Sequence, residues 1–373
     1  VDSLALQAAI RRARAAGLTT ARNWVATQPS TLRAHGAMVD AYLASGNYDA
    51  ALGEVNRFRN TTPIHPELPF VEARIRFASG DVDRAAAQLR TALDTVAPQD
   101  FRPYQGTPTV VLDIAAAANV FAYQGDLANA AKALDLADQV RREVVQHPGD
   151  GSDSPMDESW RRVVLGELYA GVGVPAASLR QVWQSAAEAG RMAAADARKH
   201  LVHSGASAAI GLFTGPSADS TALTEYRAMT GESLSPEVRA LLALSQGDST
   251  TARRALAEPA TTPQAEHMPK WTSGLYNRPL AAQAYFLLGD YPRTLSTLRD
   301  FEPMALKTGG FDSRWGMLGR VRLLRAAAYE QLGRRAEARQ EYRHVLAQWK
   351  TADAALKPFI QQAEQGLARL GEV

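Results

Sequence analysis

Three side chains that can bind metal ions recur at helical spacing near the middle of the chain. Asp196, His200 and His203 lie at positions i, i+4 and i+7, so a helix would place them on one face. Two imidazoles and one carboxylate form a ligand set for a divalent metal ion. The adjacent cations Arg198 and Lys199 disfavour a bound cation. We therefore predict no metal and no cofactor, and keep these three residues as the candidate ligands.

Two charged segments could bind ions or polyanions. Asp150, Asp153, Asp157 and Glu158 supply oxygen ligands for calcium, but they lack the spacing and the glycine position of an EF-hand loop. The segment 314–350 contains nine Arg or Lys and three Glu residues, which gives a local charge of +6. Helical arginines usually pair with glutamates three or four residues away. The sequence therefore predicts a solvated acidic loop and no nucleic-acid partner.

The sequence contains no recognisable catalytic motif. It has no HRD catalytic loop, no DFG motif and no glycine-rich loop before a lysine-bearing strand. With 0 cysteines in 373 residues, thiol nucleophiles and cysteine metal sites are excluded as well. The net charge of +2 and the hydrophobic fraction of 46% are ordinary for a globular chain. We therefore predict a non-enzymatic protein.

The elements that would position any site are helices joined by glycine turns. Seven times a helix-length apolar stretch ends at a small turn, and an amphipathic stretch begins about two residues later. The turn glycines are Gly46, Gly80, Gly125, Gly173, Gly247, Gly289 and Gly333. Glycine can adopt the left-handed conformation that ends a helix, and Asn47 or Asp49 can accept the free amides that open the next helix. The pattern predicts stacked antiparallel helical hairpins.

The turns resemble those of the tetratricopeptide repeat family. One copy is carried by Tyr42, Gly46, Tyr48, Ala51, Phe58 and Pro63, and another by Ala326, Tyr329, Gly333, Ala338, Tyr342 and Val345. The resemblance implies an all-α, right-handed superhelix of about eight or nine hairpins. Residues 1–190 and 191–373 would be its N-terminal and C-terminal repeats, continuous as one solenoid. Gly17 is predicted to be a turn in an abbreviated first repeat.

The end of the chain resembles a narrower group. The segment 323–370 is similar to the C-terminal repeats that follow the kinase domain in some bacterial membrane-anchored serine/threonine kinases and related regulators. The likeness rests on the run from Gln348 to Asp353, which reads QWKTAD, followed by Leu356 and Pro358. It implies that this chain is the sensing or docking part alone.

The tetratricopeptide resemblance also implies which residues would bind a partner. In that family the first helix of each hairpin lines the concave side of the superhelix, and a few aromatic or arginine anchors usually dominate binding. The corresponding residues here are Arg33, Asp40, Phe70, Arg74, Phe77, Asn119, Tyr123, Trp160, Glu167, Tyr276, Gln283, Phe286, Arg320 and Gln331. They predict a groove for a protein or peptide. The alternative is that aromatics such as Phe77 and Phe286 are core residues between repeats.

Three functions therefore stay open. The first is a scaffold that binds a protein or peptide in its concave groove. The second is a structural protein that assembles head to tail into a filament or ring through its ends, and the third is a ligand-sensing module of a bacterial kinase or regulator. No apolar run approaches the roughly 18 residues that span a bilayer, so no membrane span is predicted. The absence of cysteine and of an initiating methionine favours an exported protein, with a cytoplasmic one as the alternative.

Overall fold

The chain is helical wherever its structure is described. The computed structural model describes residues 3–62, 64–104, 109–144, 236–245, 247–258, 270–299, 301 and 318–371, and these ranges contain no β-strand. This confirms the all-α prediction for the described residues. Within the same ranges, no helix combines the length and the apolarity that crossing a membrane requires. The predicted turn at Gly173 lies outside the described residues.

The helices before residue 145 follow one another with short connections. They are α1 (Ser3–Thr27), α2 (Leu32–Ser45), α3 (Tyr48–Thr61), α4 (Leu68–Ala78), α5 (Val82–Thr95), α6 (Thr109–Gln124) and α7 (Leu127–Val144), with a short 3-10 helix at Pro98–Tyr104. Most of them belong to a compact unit, unit 1, which holds the described parts of Val1–Phe121 and Asn129–His147.

The helices after residue 235 belong to a second compact unit. They are α8 (Pro236–Ser245), α9 (Ser249–Ala257), α10 (Lys270–Leu287), α11 (Tyr291–Leu298), α12 (Leu318–Gln331), α13 (Arg335–Gln348) and α14 (Lys357–Arg369), with a short 3-10 helix at Ala354–Leu356. This unit 2 holds the described parts of Pro148–Glu302 and Gly316–Val373, together with Ala122–Ala128. Its hairpins are α8 with α9, α10 with α11, and α12 with α13.

The turn glycines adopt the predicted left-handed conformation. The φ angle lies between 71° and 91° at Gly46, Gly80, Gly125, Gly247, Gly289 and Gly333. The residue after the glycine often caps the next helix, because its side chain accepts a hydrogen bond from the amide three residues on. Asn47, Asp248 and Asp290 form such caps. Glycine removes the steric cost of the turn, and the cap satisfies an amide that the new helix leaves free.

The first helix differs from its prediction. Gly17 was expected to form a turn, but α1 runs without a break from Ser3 to Thr27. A glycine inside a helix costs about 1 kcal/mol relative to alanine. The alanine-rich sequence before Gly17 and the packing of α1 on α2 favour the helix strongly enough to offset this cost. The chain therefore begins with one long helix, which packs against α2.

The core of unit 1 lies between consecutive helices. Helix α2 packs on α3, α3 on α4, and α4 on α5, and buried side chains such as Phe58 and Ile75 fill the space between them. A buried polar pair joins α2 to α3. His35 Nδ1 lies 2.6 Å from Glu54 Oε1, and His35 Nε2 lies 2.9 Å from the Pro29 carbonyl oxygen. Both ring nitrogens thus have hydrogen-bond partners, which limits the cost of burying the imidazole.

The core of unit 2 brings aromatic side chains of α13 against glycines. Tyr342 and Trp349 are buried. A Cβ atom at Gly366 of α14 would lie 2.4 Å from the Tyr342 ring, and one at Gly319 of α12 would lie 2.1 Å from the Trp349 ring. The two glycines therefore allow α12 and α14 to lie directly against the rings of α13.

The segment QWKTAD contacts the turn at Ala122–Ala128, which is part of the same unit. Gln348 Nε2 donates to the Tyr123 carbonyl oxygen at 2.9 Å. Asp353 Oδ2 accepts from the amides of Leu127 and Ala128 at 2.8 and 3.1 Å. These are amides at the start of α7, which have no partner within their own helix. The segment therefore serves as a cap for α7.

We predict that Gly366→Ala lowers the free energy of unfolding by about 1–3 kcal/mol, because the added methyl group overlaps the buried Tyr342 ring. Urea denaturation followed by circular dichroism measures the change. The matched control is Gly53→Ala in α3, where a Cβ atom meets nothing within 4 Å, and it should raise the free energy of unfolding by about 0.5–1 kcal/mol. Equal effects of the two substitutions would contradict the close contact at Gly366.

Candidate functional site

Two helices of unit 1 carry polar residues in the same register. Asp40 of α2 and Arg74 of α4 each lie six residues before the turn glycine of their hairpin. Arg33 and Glu67 each lie seven residues earlier. A separation of seven residues is close to two helical turns, so both members of each pair lie on one face. The glycine turn thus places four ionisable residues on matching faces of neighbouring hairpins.

These faces line a cavity of 290 Å³ in unit 1. We call it the unit 1 cavity. Its ionisable lining residues are Arg33, Asp40, Glu67, Arg74 and Asp113. Trp24 of α1, Leu32 of α2 and Val71 of α4 contribute apolar surface. Four helices, α1, α2, α4 and α6, therefore build one site that combines charge with an aromatic wall.

Arg74 is the centre of the polar cluster. Its side chain is 4% exposed, its Nη1 donates to Asp40 Oδ1 at 2.8 Å, and its Nε lies 2.9 Å from Asp113 Oδ1. The contact with Asp113 is an ion pair that lacks hydrogen-bond geometry. Burial alone lowers the pKa of Arg74, but the charges of Asp113 and Asp40 outweigh burial and raise it. Arg74 therefore stays charged and bridges α2, α4 and α6.

Glu67 and Asp113 form a buried carboxyl pair beside Arg74. They are 3% and 6% exposed, and their side chains are hydrogen-bonded to each other. Burial raises the pKa of Glu67 well above its ordinary value of 4.5, and the charge of Asp113 raises it further. Burial also raises the pKa of Asp113, and the nearby Arg74 cation and the hydrogen bond from Glu67 offset only part of that rise. We therefore assign the proton to Glu67, which donates to an ionised Asp113.

A neutral histidine lies at the start of α4. His65 Nδ1 accepts a hydrogen bond from the Glu67 amide at 3.3 Å, and the ring lies edge-on to Phe58. Burial lowers the pKa of His65 from 6.5 to about 4. At neutral pH the imidazole is therefore uncharged and able to accept this bond. The contact orients the backbone from which Glu67 enters the cluster.

The cavity offers a ligand a different set of groups from those that are buried. The Asp40 side chain is 58% exposed although its partner Arg74 is buried. Arg33 is exposed, and its guanidinium carbon lies 5.6 Å from the centre of the Trp24 ring. Glu67 and Asp113 are occupied with each other and with Arg74. The groups that can meet a ligand are therefore the Asp40 carboxylate, the Arg33 guanidinium and the Trp24 ring.

The same register lines a cavity in unit 2. Gln283 of α10 lies six residues before Gly289, and Arg320 of α12 lies thirteen residues before Gly333. Together with Phe286 they form part of the wall of a cavity of 390 Å³, which we call the unit 2 cavity. In each unit, therefore, a cavity is lined by the face of the first helix that the turn glycine defines.

The predicted partner-binding residues fall into several environments. Those that line a cavity are Arg33, Asp40, Arg74, Gln283, Phe286 and Arg320. Phe70 and Phe77 are 1% and 2% exposed, so they lie in the core, where the larger residues of α4 pack. Asn119 is buried as well, Tyr123 is half-buried, and Gln331 is exposed. The residues that were predicted to line one groove are thus divided between the surface and the core.

Other predicted sites lie outside the described residues. Trp160, Glu167 and the side chain of Tyr276 are among them, as are the metal candidates Asp196, His200 and His203. Within the ranges that are described, no group of three or more His, Asp or Glu residues is placed to hold a metal ion.

The basic segment is largely engaged with the protein itself where it is described. Arg322 donates to Gln348 Oε1 at 2.7 Å, and Arg334 donates to Glu337 Oε1 at 2.7 Å. Arg325 donates to the Leu298 carbonyl oxygen at 2.6 Å. The positive charge of this segment therefore contributes to helix packing and to pairs on the helix surface.

The sequence prediction missed Glu67, Asp113 and Trp24 of the unit 1 cavity, as well as its small and aliphatic lining residues. Glu67 occupies the same register position as Arg33, thirteen residues before its turn glycine, so the register alone could have identified it. Asp113 lies twelve residues before Gly125 and has no counterpart in that register. Trp24 belongs to the long helix α1, which precedes the first described glycine turn. Only the packing of α1 and α6 brings these two into the site.

Comparison with known proteins assigns no family to the chain. It matches no protein-family model and no curated protein sequence. The function is therefore inferred from the fold and the two cavities.

The carboxyl pair predicts a specific pH dependence. Because the pKa of Glu67 is raised in the folded state, the unfolded chain releases this proton near pH 4.5 while the folded chain retains it. Stability from this group is complete below pH 4.5 and falls as the pH rises toward the folded pKa. As the pH rises above 4.5, the native chain therefore loses stability that Glu67→Gln keeps. The unfolding equilibrium constant of Glu67→Gln should fall relative to that of the native chain by up to about tenfold per pH unit.

Urea denaturation of both proteins from pH 4 to pH 8 provides the measurement. His65 contributes with the opposite sign, because its lowered pKa makes stability fall as the pH drops below 6.5. That contribution is present in both proteins, since His65 accepts from the backbone of residue 67, so it cancels in the difference. A stability difference that does not change with pH would contradict the assignment of the proton to Glu67.

Proposed function

We propose that this chain is a non-enzymatic scaffold that binds a protein or peptide through the first helices of its hairpins. The observation that carries the proposal is the shared register, since the same positions before the turn glycine line a cavity in each unit. A repeated binding face is the form of recognition used by stacked helical repeats. We further propose that the hairpins are tetratricopeptide-like and that this face is the concave side of a right-handed superhelix.

The unit 1 cavity supports peptide binding by its chemistry. Asp40 and Arg33 can form charged hydrogen bonds with a peptide, and Trp24 supplies a large apolar contact, as interface anchors commonly do. Asp40 is fixed in place by its hydrogen bond to the buried Arg74. A ligand would therefore meet a carboxylate that has already lost much of its conformational freedom, which reduces the cost of binding.

A ligand-sensing module is the second candidate. The unit 2 cavity favours it, because a volume of 390 Å³ falls in the range of roughly 300–1,000 Å³ that is typical of small-molecule sites. The resemblance of the segment 323–370 to kinase-associated repeats supports such a role. This segment includes α14 and most of α12, which are two of the three helices that line the cavity.

Filling the unit 1 cavity should weaken peptide binding. A Cβ atom at Gly36, which lines the cavity, meets nothing within 4 Å, so the side chain of Gly36→Leu starts in open space and fills part of the cavity. Peptides are first selected on the native protein from a random display library. We expect Gly36→Leu to weaken the binding of these peptides by at least about tenfold. Isothermal titration calorimetry of the selected peptides measures the loss.

Gly53→Leu is the control, because Gly53 is also helical, also has open space around it, and lies on the second helix of its hairpin. It should leave the affinity unchanged. Failure to enrich any peptide, or equal binding by the native protein and Gly36→Leu, would count against the proposed groove.

A further inference from the structure

The unit 2 cavity has a chemical character that the peptide proposal does not use. Its walls come from three helices, α10, α12 and α14. Pro279, Phe286 and Leu287 of α10 and Leu324 of α12 make much of it apolar. Leu287 is 38% exposed, so solvent reaches the part of the cavity wall that this leucine forms. An apolar ligand that covers this surface would remove it from water.

Arg320 supplies charge to this apolar site. Among the described residues that line the cavity, Arg320 is the charged one, and Gln283 and Gln362 can add neutral hydrogen bonds. Its guanidinium carbon lies 4.0 Å from the centre of the Phe359 ring. The N–H groups of a guanidinium lie within its own plane, which is the direction in which it binds a carboxylate.

Burial strengthens this preference for an anion. Arg320 is half-buried, and burial lowers its pKa to about 10. The side chain still carries its charge at neutral pH. A charged hydrogen bond formed at a half-buried position is stronger than one formed at an open surface.

We propose that the unit 2 cavity binds a small carboxylic acid with an apolar body, whose carboxylate pairs with Arg320 and whose body lies against Phe286, Leu287 and Leu324. One guanidinium suits one carboxylate, whereas a phosphate dianion would call for further cations. The inference names the ligand class for the sensing candidate. It does not depend on peptide binding in unit 1, which is tested with different variants.

Octanoate and octan-1-ol are matched probes, because they share their apolar chain and differ in charge. Titration calorimetry with the full chain should show octanoate binding. Arg320→Gln should weaken the binding of octanoate by at least about tenfold and leave the binding of octan-1-ol unchanged. Ala327→Leu, which narrows the cavity without altering charge, should weaken both. Arg254→Gln on the exposed surface of α9 is the control and should change neither.

Three results would overturn the proposal. They are no octanoate binding by the native chain, equal affinity for the acid and the alcohol, and octanoate affinity that neither Arg320→Gln nor Ala327→Leu reduces. A peptide C-terminus carries the same chemistry, so acetyl-Leu-Leu with a free carboxylate is included as a further probe. If it binds more tightly than octanoate and depends on Arg320, the site takes a protein terminus and the free-acid assignment is wrong.

Discussion

The left-handed glycine between paired helices is the constraint from which the sites follow. It ends the first helix at a fixed residue, so every position counted back from it has a fixed place around the helix axis. Positions six and thirteen residues before the glycine fall on one face. Asp40, Arg74 and Gln283 share the first of these positions, and Arg33 and Arg320 share the second. The backbone therefore repeats while the chemistry varies.

The polar cluster of unit 1 is stable because its buried charges balance. Arg74 and Asp113 form a buried pair of opposite sign, and a buried charge that lost its partner would cost about 3–5 kcal/mol. If Glu67 were ionised as well, the cluster would hold one buried negative charge too many. Keeping the proton on Glu67 avoids this and supplies a donor for Asp113. Two carboxyl groups can thus occupy a space that contains one buried cation.

The sequence predicts the local structure well because that structure depends on nearby residues. A glycine followed by Asn or Asp identifies the turn at Gly46, Gly80, Gly247 and Gly289, and the following residue also caps the next helix at Asn47, Asp248 and Asp290 but not at Asp81. The prediction fails where distant packing decides the outcome. Gly17 remains helical because of its neighbours and the packing of α1 on α2, while Phe70 matches the groove pattern and lies in the core. Asp113 enters the site only through the placement of α6, because its position twelve residues before Gly125 lies outside the shared register.

The contrast between the two cavities explains why one backbone plan can serve different ligands. In unit 1 the register places acid and base side by side, so they neutralise each other and leave Asp40 at the surface. In unit 2 the position that corresponds to Arg74 is Gln283 or Ala327, and Arg320 shares its cavity with mostly apolar side chains. Such a site gains most from an anion with an apolar body, whereas the unit 1 site gains most from paired polar contacts. The residues at a few positions before the turn glycine therefore set the class of ligand. The backbone of the helices that carry these residues does not have to change.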